Sequence, residues 1–330
     1  MLILNSSDSA MNKKIYMAPM EGITGYVFRN AYEKAFSGVD AYYTPFISTN
    51  HEGIMNSREK NDILPEHNKN INVIPQVMSN NYRDFEKTAI ELYGYGYNHI
   101  NINFGCPSGT VTAKKKGSGI FTDLALLDEF LYGIFNHIEI IKHENIKISV
   151  KTRIGFEKPE EYKEIFSIYD KYPIHEITVH PRITKDFYKE PVRLKEFGNI
   201  YNDRKTLISY NGEIKSKKDF EKIINNYPEI NAVMIGRGLL SHPGLADEIK
   251  NNKHTEKEQI RDFLQILKME YEKIMPGEKP LLFKLKDVWT FLGPAFVNCD
   301  KELKKIKKSS DTKEYSHSVK ELLERCELSG

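Results

Sequence analysis

The sequence predicts an α/β protein: a (β/α)8 barrel of TIM type with a C-terminal helical domain. Three observations predict it. Short apolar runs of strand length recur eight times between residues 15 and 235, most of them separated by helical spacing. Eight strand–helix repeats over about 240 residues imply a parallel sheet and match a closed barrel better than an open, doubly wound one. Polar residues of unusual kinds collect at the C-terminal ends of these runs, where a barrel carries its active site.

The first run, 15–19, leads into Ala18-Pro19-Met20-Glu21-Gly22, and the second is 41–45. The third, 72–77, ends near Gln76. The fourth, 99–103, leads through Asn103 to Cys106. Gly105 and Pro107 stop that run, so the thiol sits on a turn at a strand end, where a ligand can meet it. The fifth, 147–151, ends in Lys151-Thr152-Arg153, and the sixth, 176–179, in His180-Pro181-Arg182. The seventh, 206–210, ends in Asn211-Gly212-Glu213, and the eighth, 232–235, in Gly236-Arg237-Gly238. Helical spacing occupies 82–93, 124–142, 160–169 and 216–225. Strand alternation stops after Gly244. Segments 259–274, 280–292 and 316–326 then carry helical spacing, broken at Pro276-Gly277 and Gly293-Pro294. The expected division is a barrel over 1–248, a linker at 251–254 and a helical domain over 255–330.

Composition narrows the function classes. The chain has 330 residues, 40% hydrophobic and 28% charged, which is ordinary for a soluble protein with room for one large and one smaller domain. No run reaches the length of a membrane span, and the opening Met1-Leu2-Ile3-Leu4 lacks the basic region of a secretory signal. Met11 is an alternative start. Cys106, Cys299 and Cys326 make an odd count without a C-x-x-C pair, which argues against a disulfide framework and a cysteine zinc site and favours a reducing cytoplasm. A formal charge of +2 neither demands nor excludes a polyanionic partner. A monomer is expected.

Each strand-end residue has a plain reading taken alone. A lysine or arginine there is usually solvated, His180 is more often a structural histidine than a catalyst, and Asn211-Gly212 is a common turn pair. Complementary polar groups at the same end of most strands are harder to ascribe to chance. Gly236-Arg237-Gly238 follows strand 8, where barrels build phosphate sites, and offers backbone N–H groups with a guanidinium. The chain lacks a Walker loop and a G-x-G-x-x-G fingerprint, and the His175 to His180 spacing is not that of H-E-x-x-H. No metal site is expected.

In order and spacing these blocks resemble the tRNA-dihydrouridine synthases: Ala18-Pro19-Met20-Glu21-Gly22-Ile23-Thr24, Asn103-Phe104-Gly105-Cys106-Pro107, Lys151-Thr152-Arg153-Ile154-Gly155, His180-Pro181-Arg182, Asn211-Gly212-Glu213-Ile214 and Val233-Met234-Ile235-Gly236-Arg237-Gly238. The resemblance covers 15–245 and extends to the tail only in its helical character. It implies FMN as cofactor, NADPH as hydride donor and tRNA as substrate, with uridine reduced to 5,6-dihydrouridine. It implies that Pro19, Met20 and Glu21 lie beside the flavin ring and that Gln76 and Lys151 bond its polar edge. His180 would be a further flavin contact. Asn211, Gly212, Glu213, Gly236 and Arg237 would hold the ribityl chain and phosphate, and Asn103, Arg153 and Arg182 would face the uracil. Hydride would pass from flavin N5 to C6, and Cys106 would give the proton to C5.

An ordinary thiol titrates at roughly 8.5 and can serve as an acid at neutral pH. A nucleophilic thiolate would need a nearby cation, which Lys151 could supply, so both uses are open at this stage. Segment 110–119, with Lys114, Lys115 and Lys116, is either a loop that closes over the base or a solvated turn. Segment 301–308 sets five lysines against one glutamate and is a candidate stripe for RNA phosphates. The chain departs from the usual family pattern at Glu21, Gly25 and Pro181 and across the irregular 183–190 segment, which bears on substrate position more than on chemistry. Two other readings compete. One is an FMN barrel acting on a free small molecule, like a dihydroorotate dehydrogenase, which would need no basic helical tail. The other is a non-catalytic RNA-binding relative, against which the joint presence of Cys106 and Lys151 argues.

Overall fold

In the computed structural model, residues 13–328 are described, and the alternative start at Met11 lies outside them. Eight parallel strands form the barrel: β1 (Lys14–Met17), β2 (Ala41–Tyr43, continued by Ile47–Ser48), β3 (Val73–Ile74 with Gln76–Met78), β4 (His99–Phe104), β5 (Lys147–Gly155), β6 (Glu176–Ile183), β7 (Leu207–Asn211) and β8 (Ala232–Ile235). The row runs β3–β4–β5–β6–β7–β8–β1–β2. Its two ends then meet: Ala41–Tyr43 pairs with Val73–Ile74, and Ile47–Ser48 pairs with Gln76–Met78. The sheet therefore closes, and the doubly wound alternative falls away.

Pro75 explains why β3 is in two pieces. Proline has no N–H to give a ladder. Its carbonyl still accepts from Asn101 N at 2.9 Å, and Gln76 N turns aside to Thr44 Oγ1 at 3.0 Å. The strand ends differ from the sequence reading mainly at β5 and β6, which continue to Gly155 and Ile183. Arg153 and Arg182 are thereby strand residues, and the β5–β6 register shifts between Arg153 and Gly155.

Alternation along each strand sorts the core into two layers. Ile100, Ile102 and Phe104, Ile148 and Val150, Ile177 and Val179, and Ile208 and Tyr210 pack outward with the surrounding helices. The residues between them point inward. Under β8, β1, β2 and the first half of β3 the interior is Ala232, Met234, Tyr16, Ala18, Ala41, Tyr43 and Ile74. Under Gln76 and β4–β7 it is polar and buried, with Gln76, Asn101, Ser149, Glu176, Thr178 and Ser209.

Outer helices follow the strands as expected at Tyr82–Gly94, Leu124–His137, Tyr162–Tyr169 and Lys217–Asn226. The last begins at a reciprocal Ser216–Asp219 capping box. Helices at Tyr26–Ala35, Ser57–Ile63 and Leu194–Asp203 are also present where the sequence reading placed none. The C-terminal region contains helices Lys257–Ile274, Glu278–Leu292, Asp300–Lys308 and Thr312–Arg325. Phe263 anchors it to the barrel, meeting Phe28 edge-on at 5.4 Å, and Trp289 Nε1 donates to Tyr315 Oη at 2.8 Å within it. Among the described residues no helix is long and apolar enough to cross a membrane.

Candidate active site

The cysteine turn is held at both ends. Asn103, the last inward residue of β4, accepts from Gly105 N and Cys106 N through Oδ1 at 2.9 Å each. On the other side the Cys106 carbonyl accepts from Ser118 N at 3.1 Å and Ser118 Oγ at 2.9 Å. Gly117 makes this approach possible. Its φ is +55°, and a Cβ there would lie 2.8 Å from the Cys106 carbonyl oxygen. The thiol itself is half-buried.

Segment 110–119 places Lys114 and Lys115 on an exposed turn, at 113–115, between two short helices. Gly109–Thr112 is a short helix, and Gly117–Thr122 is a 3-10 helix. Lys116 Nζ donates to Thr49 O at 2.6 Å, Lys115 pairs with Asp123 at 2.8 Å, and Asn80 holds the Lys114 carbonyl at 2.9 Å. Lys114 and Lys115 are both exposed, and Lys116 is half-buried.

Lys151 is the inward residue of β5 level with Asn103. Among the described residues it makes no hydrogen bond or ion pair. Burial, with the Arg153 charge adding to it, lowers its pKa from 10.5 to about 7, against a smaller opposing pull from Cys106. Gly105 lies against it: a Cβ there would sit 4.0 Å from Lys151 Nζ. The residue as a whole retains some solvent contact, while its ammonium is enclosed by protein.

Arg153 is 0% exposed, and its guanidinium is committed to backbone carbonyls: Nε to Gly105 at 2.9 Å, Nη1 to Ile183 at 2.8 Å and Nη2 to Phe187 at 2.8 Å. It joins the cysteine turn to the segment after β6. Phe187 in that segment has φ +51°, a conformation rare for an aromatic residue. The next residue, Tyr188, lies under both the Arg153 and Arg237 guanidinium groups, at 5.4 and 4.9 Å, and stacks at 6.0 Å on His180.

Arg182 Nη1 lies 3.0 Å from His180 Nε2, and Arg182 Nη2 donates to Glu213 Oε1 at 2.7 Å. Burial drives the His180 pKa well below its ordinary value, and the charges of Arg153, Lys151, Arg182 and Arg237 lower it further, so the ring is neutral and accepts from Arg182. Glu213 also holds Arg237 at 3.2 Å. Burial pushes this carboxyl up, but the Arg182 hydrogen bond and charge, with Lys215 and Arg237, bring it below the usual range.

Asn211 Nδ2 donates to the Met234 carbonyl at 2.8 Å, tying β7 to β8 at the mouth. Gly212 packs on the Tyr210 hydroxyl and Gly238 on the Ile214 carbonyl, so a side chain at either would collide. After β1, Gly22 at φ +78° closes a turn in which Thr24 Oγ1 accepts from Met20 N at 2.8 Å. Met20 Sδ reaches Gly236, while Glu21 turns outward to pair with Arg58. Gln76 is 0% exposed, with Oε1 accepting from Asn103 and Nε2 donating to Asn101.

The fold thus gathers Asn103, Cys106, Lys151, Arg153, His180, Arg182, Asn211, Glu213 and Arg237 at one mouth, with Met20 beside Gly236. Glu21 stands apart at the rim. Sequence reasoning missed Ser118 and Tyr188. Ser118 lies between two glycines in the segment noted for its lysines, and Tyr188 lies in the segment noted as irregular.

The sequence model of the family described as dihydrouridine synthase (Dus) matches residues 16–326. The chain is 29% identical over 259 residues to a probable tRNA-dihydrouridine synthase of Staphylococcus aureus strain Mu50, covering 76% of this chain and 75% of that protein. It is 28% identical over 258 residues to the probable tRNA-dihydrouridine synthase 2 of Bacillus subtilis strain 168, again covering 76% and 75%. Among solved structures, morphinone reductase matches with a TM-score of 0.51 at 11% identity, over 76% of this chain and 88% of that one, a likeness of fold alone. A family match that begins in β1 and runs through the last helix of the tail means that this chain belongs to the dihydrouridine synthase family.

Proposed function

We propose that this chain is a cytoplasmic tRNA-dihydrouridine synthase: it reduces the C5=C6 bond of particular uridines in tRNA, with FMN at the barrel mouth and NADPH as the reductant. The observation that carries the reading is Lys151, an enclosed cation without an acceptor, beside the clamped Cys106 turn. A buried amine without a partner gives up its charge more readily, and a ligand bringing negative charge beside it would let it stay protonated.

The donor set fits FMN. Lys151 offers a cation to the polar edge of the ring, where negative charge collects on reduction. Gln76, expected at that edge, is fully buried with its amide bound to Asn101 and Asn103, so it would support the edge from beneath, through Asn103. Pro19, Met20 and the backbone of Glu21 would form the wall beside the ring, with neutral His180 as a further contact. Asn211, Gly212, Gly236 and Arg237 would take the ribityl chain and phosphate. Glu213, a carboxylate, serves by aiming Arg237 and Arg182.

When bound, FMN supplies the hydride that C6 of the uracil takes. Cys106 gives the thiol proton to C5, and the turn that holds its N–H and carbonyl keeps the sulfur at a set height above β4. The second Nδ2 hydrogen of Asn103 would face the base, while Arg182, whose Nε, Nη1 and Nη2 are bound to Glu190, His180 and Glu213, acts by holding those groups. Arg153 acts on the base through the walls it joins, because its own donors are bound to backbone. The two-domain reading is a catalytic barrel over 1–248 and a tRNA-binding helical unit over 255–330. Extruding a stacked uridine costs a few kcal/mol, which backbone contacts must offset. Lys301, Lys304, Lys307 and Lys308 are exposed on Asp300–Lys308 for that purpose, while Lys305 is paired with Glu321 at 2.7 Å.

Purified protein should carry a yellow flavin spectrum and, with NADPH and unmodified tRNA, form dihydrouridine at defined positions. Offering free uridine and orotate in parallel separates this reading from a small-molecule reductase. Turnover of either in place of tRNA would reject it.

A further inference from the structure

We infer that Asn101 and Ser149, buried one layer beneath the site, are positioning residues that fix Asn103, and through it the Cys106 turn, by a one-directional chain of hydrogen bonds. The inference rests on the reading of Cys106 as the proton donor to uracil C5.

The direction is set at the upper end. Backbone N–H groups only donate, so the Asn103 atom that faces Gly105 N and Cys106 N must be Oδ1, at 2.9 Å from each. This turns Asn103 Nδ2 toward Gln76, which must present Oε1, at 2.7 Å. Gln76 Nε2 then faces Asn101, which must present Oδ1, at 2.8 Å. Asn101 Nδ2 in turn faces Ser149 Oγ at 2.9 Å, and His99 Nε2 lies 2.8 Å from the same hydroxyl at the lower end. Reversing any one amide would set donor against donor and acceptor against acceptor. Gln76, Asn101 and Ser149 are all buried, so water cannot readily repair such a fault.

The column has no need to be polar for packing alone. Across the barrel axis the interior is filled with Ala18, Ala41, Ile74, Ala232 and Met234, together with Tyr16 and Tyr43. Amides run beneath the cysteine turn, where a defined orientation has a consequence. A satisfied polar network selects one arrangement where apolar packing would tolerate several.

Four variants test this: Ser149→Ala, Asn101→Leu, Asn101→Asp and Cys106→Ala. Three quantities are read: reduction of the bound flavin by NADPH, its reoxidation by tRNA with dihydrouridine formation, and iodoacetamide alkylation of Cys106 in the cofactor-free protein. Cys299 and Cys326, both buried, are the internal controls. S149A and N101L should slow reoxidation by about tenfold or more, as small misplacements of a reacting group do, while flavin reduction stays within about twofold of wild type. Alkylation of Cys106 should change severalfold in the same variants, and Cys106→Ala should lose that signal. N101D should recover most of the loss, because its carboxylate can accept from Gln76 Nε2 while the Ser149 hydroxyl turns to donate. S149A removes one oxygen atom and guards against a folding failure of N101L. Equal slowing of both half-reactions, or wild-type reoxidation and alkylation in S149A, would overturn the inference. If wild type forms no dihydrouridine, the functional reading fails by itself, and the alkylation rates still judge the relay.

Discussion

Cys106 and Lys151 sit side by side, and each makes its own prediction. Removing the thiol should remove only proton delivery. Cys106→Ala should keep FMN affinity and NADPH-driven flavin reduction while dihydrouridine formation falls by about 10²–10⁴, the span of general acid catalysis. Retained turnover would assign the proton elsewhere. Lys151 carries a cost in the cofactor-free protein. Between its folded pKa of about 7 and its ordinary 10.5, the unfolded chain holds a proton there that the folded chain lacks. Folding stability therefore rises with pH through that window, and the penalty is fully present below it. Lys151→Met should accordingly raise the melting temperature of the cofactor-free protein at pH 7 by a few degrees, flatten its rise toward pH 10, and weaken FMN binding in a fluorescence titration. Lower stability combined with unchanged FMN affinity would remove Lys151 from the cofactor site. Much of this layer was legible in the sequence, because strand-end position and residue type together single out Asn103, Cys106, Lys151 and His180. The commitments of those residues were not legible. That Arg153 is tied to Gly105, Ile183 and Phe187, and that Glu21 turns to Arg58, depends on β5 running on to Gly155 and on the shape of the β1 turn.

At the scale of elements, the segment after the cysteine acts as a clamp. Gly117 occupies a left-handed conformation against the Cys106 carbonyl, so Gly117→Ala faces both backbone strain and a 2.8 Å contact. It should destabilise the protein by about 1–3 kcal/mol, measured by denaturant unfolding, and reduce turnover more than flavin binding. An unchanged stability would mean that the segment is free to move away. The alternating strands were readable, and all eight fall where the apolar runs lie. The helices at Tyr26–Ala35 and Leu194–Asp203 were not read, although their apolar residues have helical spacing, as in Phe197, Ile200 and Tyr201. They are completed by long-range packing, as where Phe28 meets Phe263 of the tail and Phe197 meets Tyr210 and Tyr227. The break at Pro75 was present in the sequence, but its effect depends on partners on both neighbouring strands, Thr44 and Asn101.

On the proposed function, the whole molecule must bring one uridine of a folded RNA to the barrel mouth. Exposed charge on the tail is one means available to it. Replacing Lys301, Lys304, Lys307 and Lys308 with glutamine should weaken tRNA binding and lower the slope of log affinity against log salt by about one for each phosphate no longer neutralised. An unchanged slope would make this helix a solvated face. The closed barrel, the parallel order and the helical tail were all readable from repeat number and from the loss of alternation after Gly244. The polar half of the barrel interior was not, because inward residues such as Asn101 and Ser149 look like ordinary strand residues until the register brings them together. The central claim is that this mouth reduces uridine in tRNA with Cys106 as the acid. It is tested most directly by one single-turnover measurement, in which protein with reduced flavin is mixed with unmodified tRNA without oxygen. Fast flavin reoxidation with one dihydrouridine formed per flavin is predicted for wild type, with both slowed together in Cys106→Ala. Reoxidation that leaves the tRNA unchanged would contradict the account.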